Sequence, residues 1–139
     1  QTITHEYTHF AHRRAFDGAG RLMDWVSEGM AEYASESGRI REAYDAAYQG
    51  ELIPIVDASD AVYKQDLMHL YLLEKDVSLG YAESQALVEY IVREYGGIEK
   101  VWELARTHDD LQDLDKALQQ TLGVTYAEFD QDWRTWLGE

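Results

Sequence analysis

His5-Glu6-Tyr7-Thr8-His9 is the stretch whose residue types and spacing can do chemistry. Its pattern is H-E-x-x-H. On a helix, residues four apart point the same way, one turn above the other. His5 and His9 therefore offer two imidazole nitrogens to a single metal ion. Glu6 is rotated by about 100° from His5, so it flanks the ion without having to bind it. That arrangement suits Zn2+ held by two histidines, with a carboxylate beside it as general base for a bound water. The bland reading of the same five residues is a polar helix carrying two unrelated surface histidines.

A catalytic zinc takes a third protein ligand and leaves its fourth position to water. Further on the chain reads Trp25-Val26-Ser27-Glu28-Gly29-Met30-Ala31-Glu32-Tyr33, with eighteen residues between His9 and Glu28. A glycine-rich loop, Asp17-Gly18-Ala19-Gly20, separates it from the first helix. Two helices joined by a short turn can lie antiparallel, and Glu28, near the start of the second, can then face the histidine pair. His12 is the competing ligand. At a rise of about 1.5 Å per residue it sits about 10.5 Å along a straight helix from His5, too far to share the ion. Glu32 follows Glu28 by four residues, on the same helix face. A histidine ligand usually donates its second N–H to a carboxylate or carbonyl, which fixes its orientation. Glu32 can do this for His5 or His9, or it can be one more solvated acid.

H-E-x-x-H-x18-E with W-x-x-E-G-x-A-E-Y around the last carboxylate resembles the gluzincin metallopeptidases of the MA clan, the thermolysin and aminopeptidase N type enzymes. Ser27 stands where those enzymes usually have Asn, and Met30 where they usually have an aromatic residue. The metzincin pattern H-E-x-x-H-x-x-G-x-x-H is not met, because those positions hold His12 and Ala15. Tyr81-Ala82-Glu83-Ser84-Gln85-Ala86-Leu87, running on to Gly96-Gly97, resembles the helix that follows the zinc site in aminopeptidase N type enzymes. The resemblance aligns Tyr81 with the tyrosine whose hydroxyl contacts the oxyanion, a donor that the chemistry needs. Against it stands the count of ten tyrosines, most of which should be packing residues. It also implies an extracytoplasmic or secreted setting, and a β-sheet subdomain ahead of the zinc helix. That subdomain has no room here, so residues 1–139 read as a single helical domain cut from a longer protein.

The elements that must position these residues read as helices. The first covers about residues 2–16. The second runs from Asp24 to Ser37 with Gly38 as its stop, and the third from Arg39 to Gln49 with Gly50 as its stop. The third is expected to turn Ile40, Ala43, Tyr44, Ala47 and Tyr48 to one side. Leu52-Ile53-Pro54-Ile55-Val56 is the only strand-like run, and its proline limits it to an extended loop or an edge strand. Ser59-Asp60 can cap a further helix that contains His69. Ser78 to Gly80 are expected to break the chain before the Tyr81 helix, whose apolar stripe holds positions 86, 87, 90, 91 and 94/95. Three more helices follow, at Ile98–His108, Leu111–Leu122 and Tyr126–Leu137. Gly123 stops one, and Thr125 with Glu128 forms a capping box for the next. Val101, Trp102, Leu104 and Ala105 read as core, and Trp133, Trp136 and Leu137 as a closing apolar face. The fold class is mostly α: a helical bundle corresponding to the zinc-bearing half of a gluzincin catalytic domain.

Composition narrows the partners. The chain of 139 residues carries 12 basic and 27 acidic side chains, a formal charge of −15. Nucleic acid and anionic membranes both favour a basic patch, so neither is expected. Most of the acids belong on solvated helix faces; an acidic cleft favouring cationic substrates is the functional alternative. There is no cysteine, hence no disulfide. No apolar run approaches the roughly 18 residues that span a bilayer.

The reading that joins these observations is zinc-dependent hydrolysis of a peptide or protein substrate. His5, His9 and Glu28 hold one Zn2+, which lowers the pKa of its water to about 7. Glu6 takes the proton and passes it to the departing amine, and Tyr81 stabilises the oxyanion. Two rivals come from other classes: a zinc-binding but inactive peptidase-like module, and a helical interaction domain without metal.

Overall fold

The computed structural model describes residues 3–8, 11, 24–53 and 74–139. All regular structure among the described residues is helical, as expected. In chain order the helices are α1 (residues 3–8, with Ala11 also helical), α2 (Asp24–Ala34), α3 (Ile40–Gln49), α4 (Glu74–Tyr95), α5 (Ile98–Leu111), α6 (Leu114–Leu122) and α7 (Tyr126–Leu137).

α4 is the axis of the bundle. Its 22 residues extend about 33 Å, and α2, α3, α5 and α7 all pack against it. A helix covered on so many sides cannot keep one apolar stripe. Every residue from Ala82 to Val88 is buried, including Glu83, Ser84 and Gln85. The core continues through Trp25, Val26 and Met30 of α2, Val101 and Leu104 of α5, and Phe129 and Trp133 of α7. Trp133 and Phe129 are fully buried, and each such side chain contributes about 1.5–3 kcal/mol relative to exposure. Tyr90 gathers the aromatic end, with ring centroids 5.6 Å from Phe129 and 5.5 Å from Trp136.

α7 starts and stops where its sequence says. α5 runs on to Leu111 instead of ending at His108, and α6 starts at Leu114 instead of Leu111, because Asp113 caps it by accepting from the Lys116 N–H at 3.0 Å. Thr125 accepts from the Glu128 N–H at 3.2 Å, and Glu128 accepts from the Thr125 N–H at 2.8 Å, completing the capping box. Gly123 takes φ +76° to close α6, a conformation that L side chains adopt at a cost.

Several sequence expectations change. Ser78-Leu79-Gly80 do not break the chain; they lie within α4. Leu79 and Gly80 are buried, Ser78 Oγ donates to Glu42 Oε2 on α3 at 2.6 Å, and Ser84 Oγ donates to the Gly80 carbonyl at 2.7 Å. Packing and these bonds outweigh the weak local propensity. Tyr81 is consequently the eighth residue of its helix and not the first. α2 ends at Ala34, three residues earlier than expected, in a turn with Glu36 at φ 51° and Gly38 at φ 77°. α3 buries Ala43, Ala46 and Ala47, while Tyr48 is 89% exposed. Three small residues let α3 approach α4 closely, and Tyr48 is rotated away from that seam. Glu51, Leu52 and Ile53 form no strand. Residues 54–56 of the strand-like run, the helix expected after Ser59-Asp60 with His69, His12 and the 17–20 loop lie outside the described residues.

Candidate active site

The close approach of α2 to α4 sets the site. Gly29 is buried against α4. A Cβ built there would overlap the Ser84 carbonyl oxygen and stand 2.7 Å from Val88 Cγ2. Only a residue without a side chain lets the two backbones meet, and Glu28 and Glu32 are carried into place by that contact. Glu28 and Glu32 are one helical turn apart on the same face, with their Cβ atoms about 5–6 Å apart.

His5 of α1 lies between them. Its Nε2 is 3.3 Å from Glu28 Oε2, and its Nδ1 is 3.4 Å from Glu32 Oε1. The imidazole thus presents one nitrogen to each acid. His5 and Glu28 each keep about 20% of their side-chain surface open, whereas Glu32 keeps 7%. The more buried acid faces Nδ1; the more open one faces Nε2, with its Oε2 shielded from solvent. Glu6, next to His5, is exposed.

Glu32 is held from its other side. Arg39, in the turn after α2, places Nε 3.4 Å from Glu32 Oε2. The same guanidinium lies 5.3 Å from the centroid of the Tyr81 ring, within the range of a cation–π contact. Tyr81 is half-buried on α4. His5, Glu28, Glu32, Arg39 and Tyr81 therefore form one connected group contributed by α1, α2, the turn and α4. His9, the remaining residue of the H-E-x-x-H pattern, lies outside the described residues. Among the described residues no group of three or more His, Cys, Asp or Glu side chains is arranged to hold a metal.

The His5–Glu28 contact is that of an ion pair, at a separation that two ligands of one ion would also have. Two ligands of a tetrahedral zinc, at about 2.0–2.2 Å from the ion, stand about 3.3–3.5 Å apart. The Nε2–Oε2 separation of 3.3 Å matches that spacing. A carboxylate on Nδ1 is the partner that a zinc-bound histidine customarily has.

The family model described as the Peptidase MA superfamily matches residues 1–139. The chain belongs to the peptidase MA superfamily. It is peptidase-like, and the family implies a peptide or protein substrate. Against curated proteins and solved structures there is no significant match. No helix among the described residues of this peptidase MA chain is long and apolar enough to cross a membrane.

Two contributors were not singled out in the sequence. Gly29 carried a readable signal, since glycine inside a helix costs about 0.5–1 kcal/mol relative to alanine and needs a compensating close contact. Arg39 carried none: it falls in a turn, and its two contacts reach seven residues back and 42 residues ahead.

Proposed function

We propose that this chain is the zinc-bearing helical part of a gluzincin-type metallopeptidase and hydrolyses peptide bonds. The observation that carries the reading is the bracketed imidazole. His5 offers Nε2 beside Glu28 at 3.3 Å while Glu32 sits on Nδ1 at 3.4 Å. His5, His9 and Glu28 would hold Zn2+, with Glu32 fixing the tautomer and orientation of His5. Bound zinc supplies Lewis acidity toward a water and a peptide carbonyl. The remaining chemistry belongs to the chain. Glu6, adjacent to His5 and open to solvent, takes the proton of the attacking water and delivers it to the departing amine. The Tyr81 hydroxyl donates to the oxyanion of the tetrahedral intermediate. Gly29 and the buried face of α2 keep Glu28 from drifting, which supports the same reading.

Incubating the zinc-loaded protein with a diverse peptide mixture, beside Glu6→Gln, tests it by mass spectrometry. New cleavage products with the parent chain and none with Glu6→Gln are expected, and their termini distinguish exopeptidase from endopeptidase action. A parent chain that binds zinc but leaves the mixture intact overturns the activity in favour of a binding module. A parent chain that binds no zinc overturns the reading altogether.

A further inference from the structure

Arg39 touches both halves of the site. Its Nε is 3.4 Å from Glu32 Oε2, on the side of that carboxylate away from His5. Its guanidinium covers the Tyr81 ring at 5.3 Å. The backbone on either side of it is tied down. Buried Gln85 accepts from the Ser37 hydroxyl at 3.2 Å and from the Ile40 N–H at 3.0 Å, through a single oxygen, Oε1. Gln85 and Tyr81 are four residues apart on α4, hence on one face. One row of α4 therefore pins the turn that carries Arg39 and also receives its guanidinium. The turn's shape is set by Glu36 and Gly38, both in the left-handed region. A flat guanidinium suits this double task, since its edge meets a carboxylate while its face stacks on a ring.

We propose that Arg39 is a positioning residue that holds Glu32 and Tyr81 as one rigid unit, so that the acid orienting His5 and the hydroxyl facing the oxyanion keep a fixed relation. The role rests on the function proposed above. Without Arg39, buried Glu32 loses its second ionic partner and with it a restraint on its orientation toward His5 Nδ1, and Tyr81 loses the cover on one ring face. The two effects are separable because each can be read on the background that lacks its own partner, Glu32→Gln or Tyr81→Phe.

The test uses Arg39→Met, Arg39→Lys, Glu32→Gln, Tyr81→Phe and the doubles of Arg39→Met with each of the last two, all in the full chain. Zinc affinity is read by chelator competition, and kcat and KM on a peptide that the parent chain cleaves. Arg39→Met is expected to weaken zinc binding about 10-fold, as loss of an outer partner does, while Arg39→Lys retains affinity. Added to Glu32→Gln, Arg39→Met should weaken zinc by less than about 2-fold, since the two act through one contact. Arg39→Met should also lower kcat about 10-fold or more with KM little changed, and that loss should vanish on the Tyr81→Phe background. Unchanged zinc affinity in Arg39→Met, or effects that simply add in the Glu32 double, overturns the role of Arg39 while leaving the zinc site standing. The affinity cycle decides this whether or not turnover is seen. A parent chain without zinc affinity instead overturns the proposed function, and the positioning role with it.

Discussion

Gly29 on α2 meets the Ser84 carbonyl on α4 with no room for a methyl group between them. Glu28, the adjacent residue, faces His5. Packing density and site geometry are thus linked through one residue, and Gly29→Ala should damage both. Inserting a carbon into a filled seam typically costs about 1–3 kcal/mol. The obstruction here is backbone, so the upper end of that range is expected in urea unfolding. Zinc affinity should fall with it, because α2 must move off α4. A Gly29→Ala protein of parental stability would show that the helices separate without penalty.

Glu28 and Glu32 flank the same imidazole but should behave differently when removed. Glu32→Gln leaves any ion its direct partners and should weaken zinc binding by about 10–100-fold, as loss of an outer hydrogen-bond partner does. Glu28→Ala removes a proposed ligand and should weaken it beyond that range. Equal losses in the two variants, measured by chelator competition, would remove the distinction between them.

Tyr81→Phe keeps a ring beneath Arg39 and deletes only the hydroxyl. Zinc affinity should therefore stay at its parental value. Loss of one oxyanion donor lowers kcat by about 10²–10³, and that is the expected size. A parental kcat would take the hydroxyl out of the mechanism.

Glu83 gives the fold a pH dependence of its own. Burial pushes its carboxyl from the ordinary 4.5 up to about 8, against the lowering effects of the Ile53 N–H and Arg134; Asp130 and Glu139 add to the rise. Its Oε2 accepts from the Ile53 N–H at 2.9 Å, and Arg134 donates to the Ile53 carbonyl at 3.1 Å. The folded chain holds the proton to about pH 8, while the unfolded chain releases it near 4.5. Between these values the folded state binds more protons, so this group lowers stability as pH rises, by about 1.4 kcal/mol per unit, and is flat outside the window. Glu83→Gln cannot ionise. Its stability relative to the parent should climb between pH 5 and 8, read by urea unfolding. A difference that is constant with pH would mean that Glu83 is ionised in the folded chain throughout.

Local chemistry was the part of the fold most open to sequence reading. Gly50, Gly123 and the Thr125–Glu128 box mark helix ends, because capping depends on residues within one turn of each other. α7 begins and ends at Tyr126 and Leu137 as its pattern indicates. The reading failed where neighbours decide. Ser78-Leu79-Gly80 has poor helix formers, yet α3 and the core hold it helical. Glu83 and Gln85 look like the solvated side of an amphipathic helix, yet both are buried. Periodicity assumes one wet face, and α4 is packed by four other helices.

The same division runs through the candidate site. Residue identity and spacing alone determined that His5 and Glu6 share a turn and that Glu28 and Glu32 share a face, since helical geometry fixes relations up to about four residues apart. Tertiary structure alone decided that His5 sits with one nitrogen to each acid. It also decided that Gly29 sets their depth against α4 and that Arg39 joins Glu32 to Tyr81. Those relations cross between helices, where distance follows from how side chains fill the space between backbones and no longer from position along the chain.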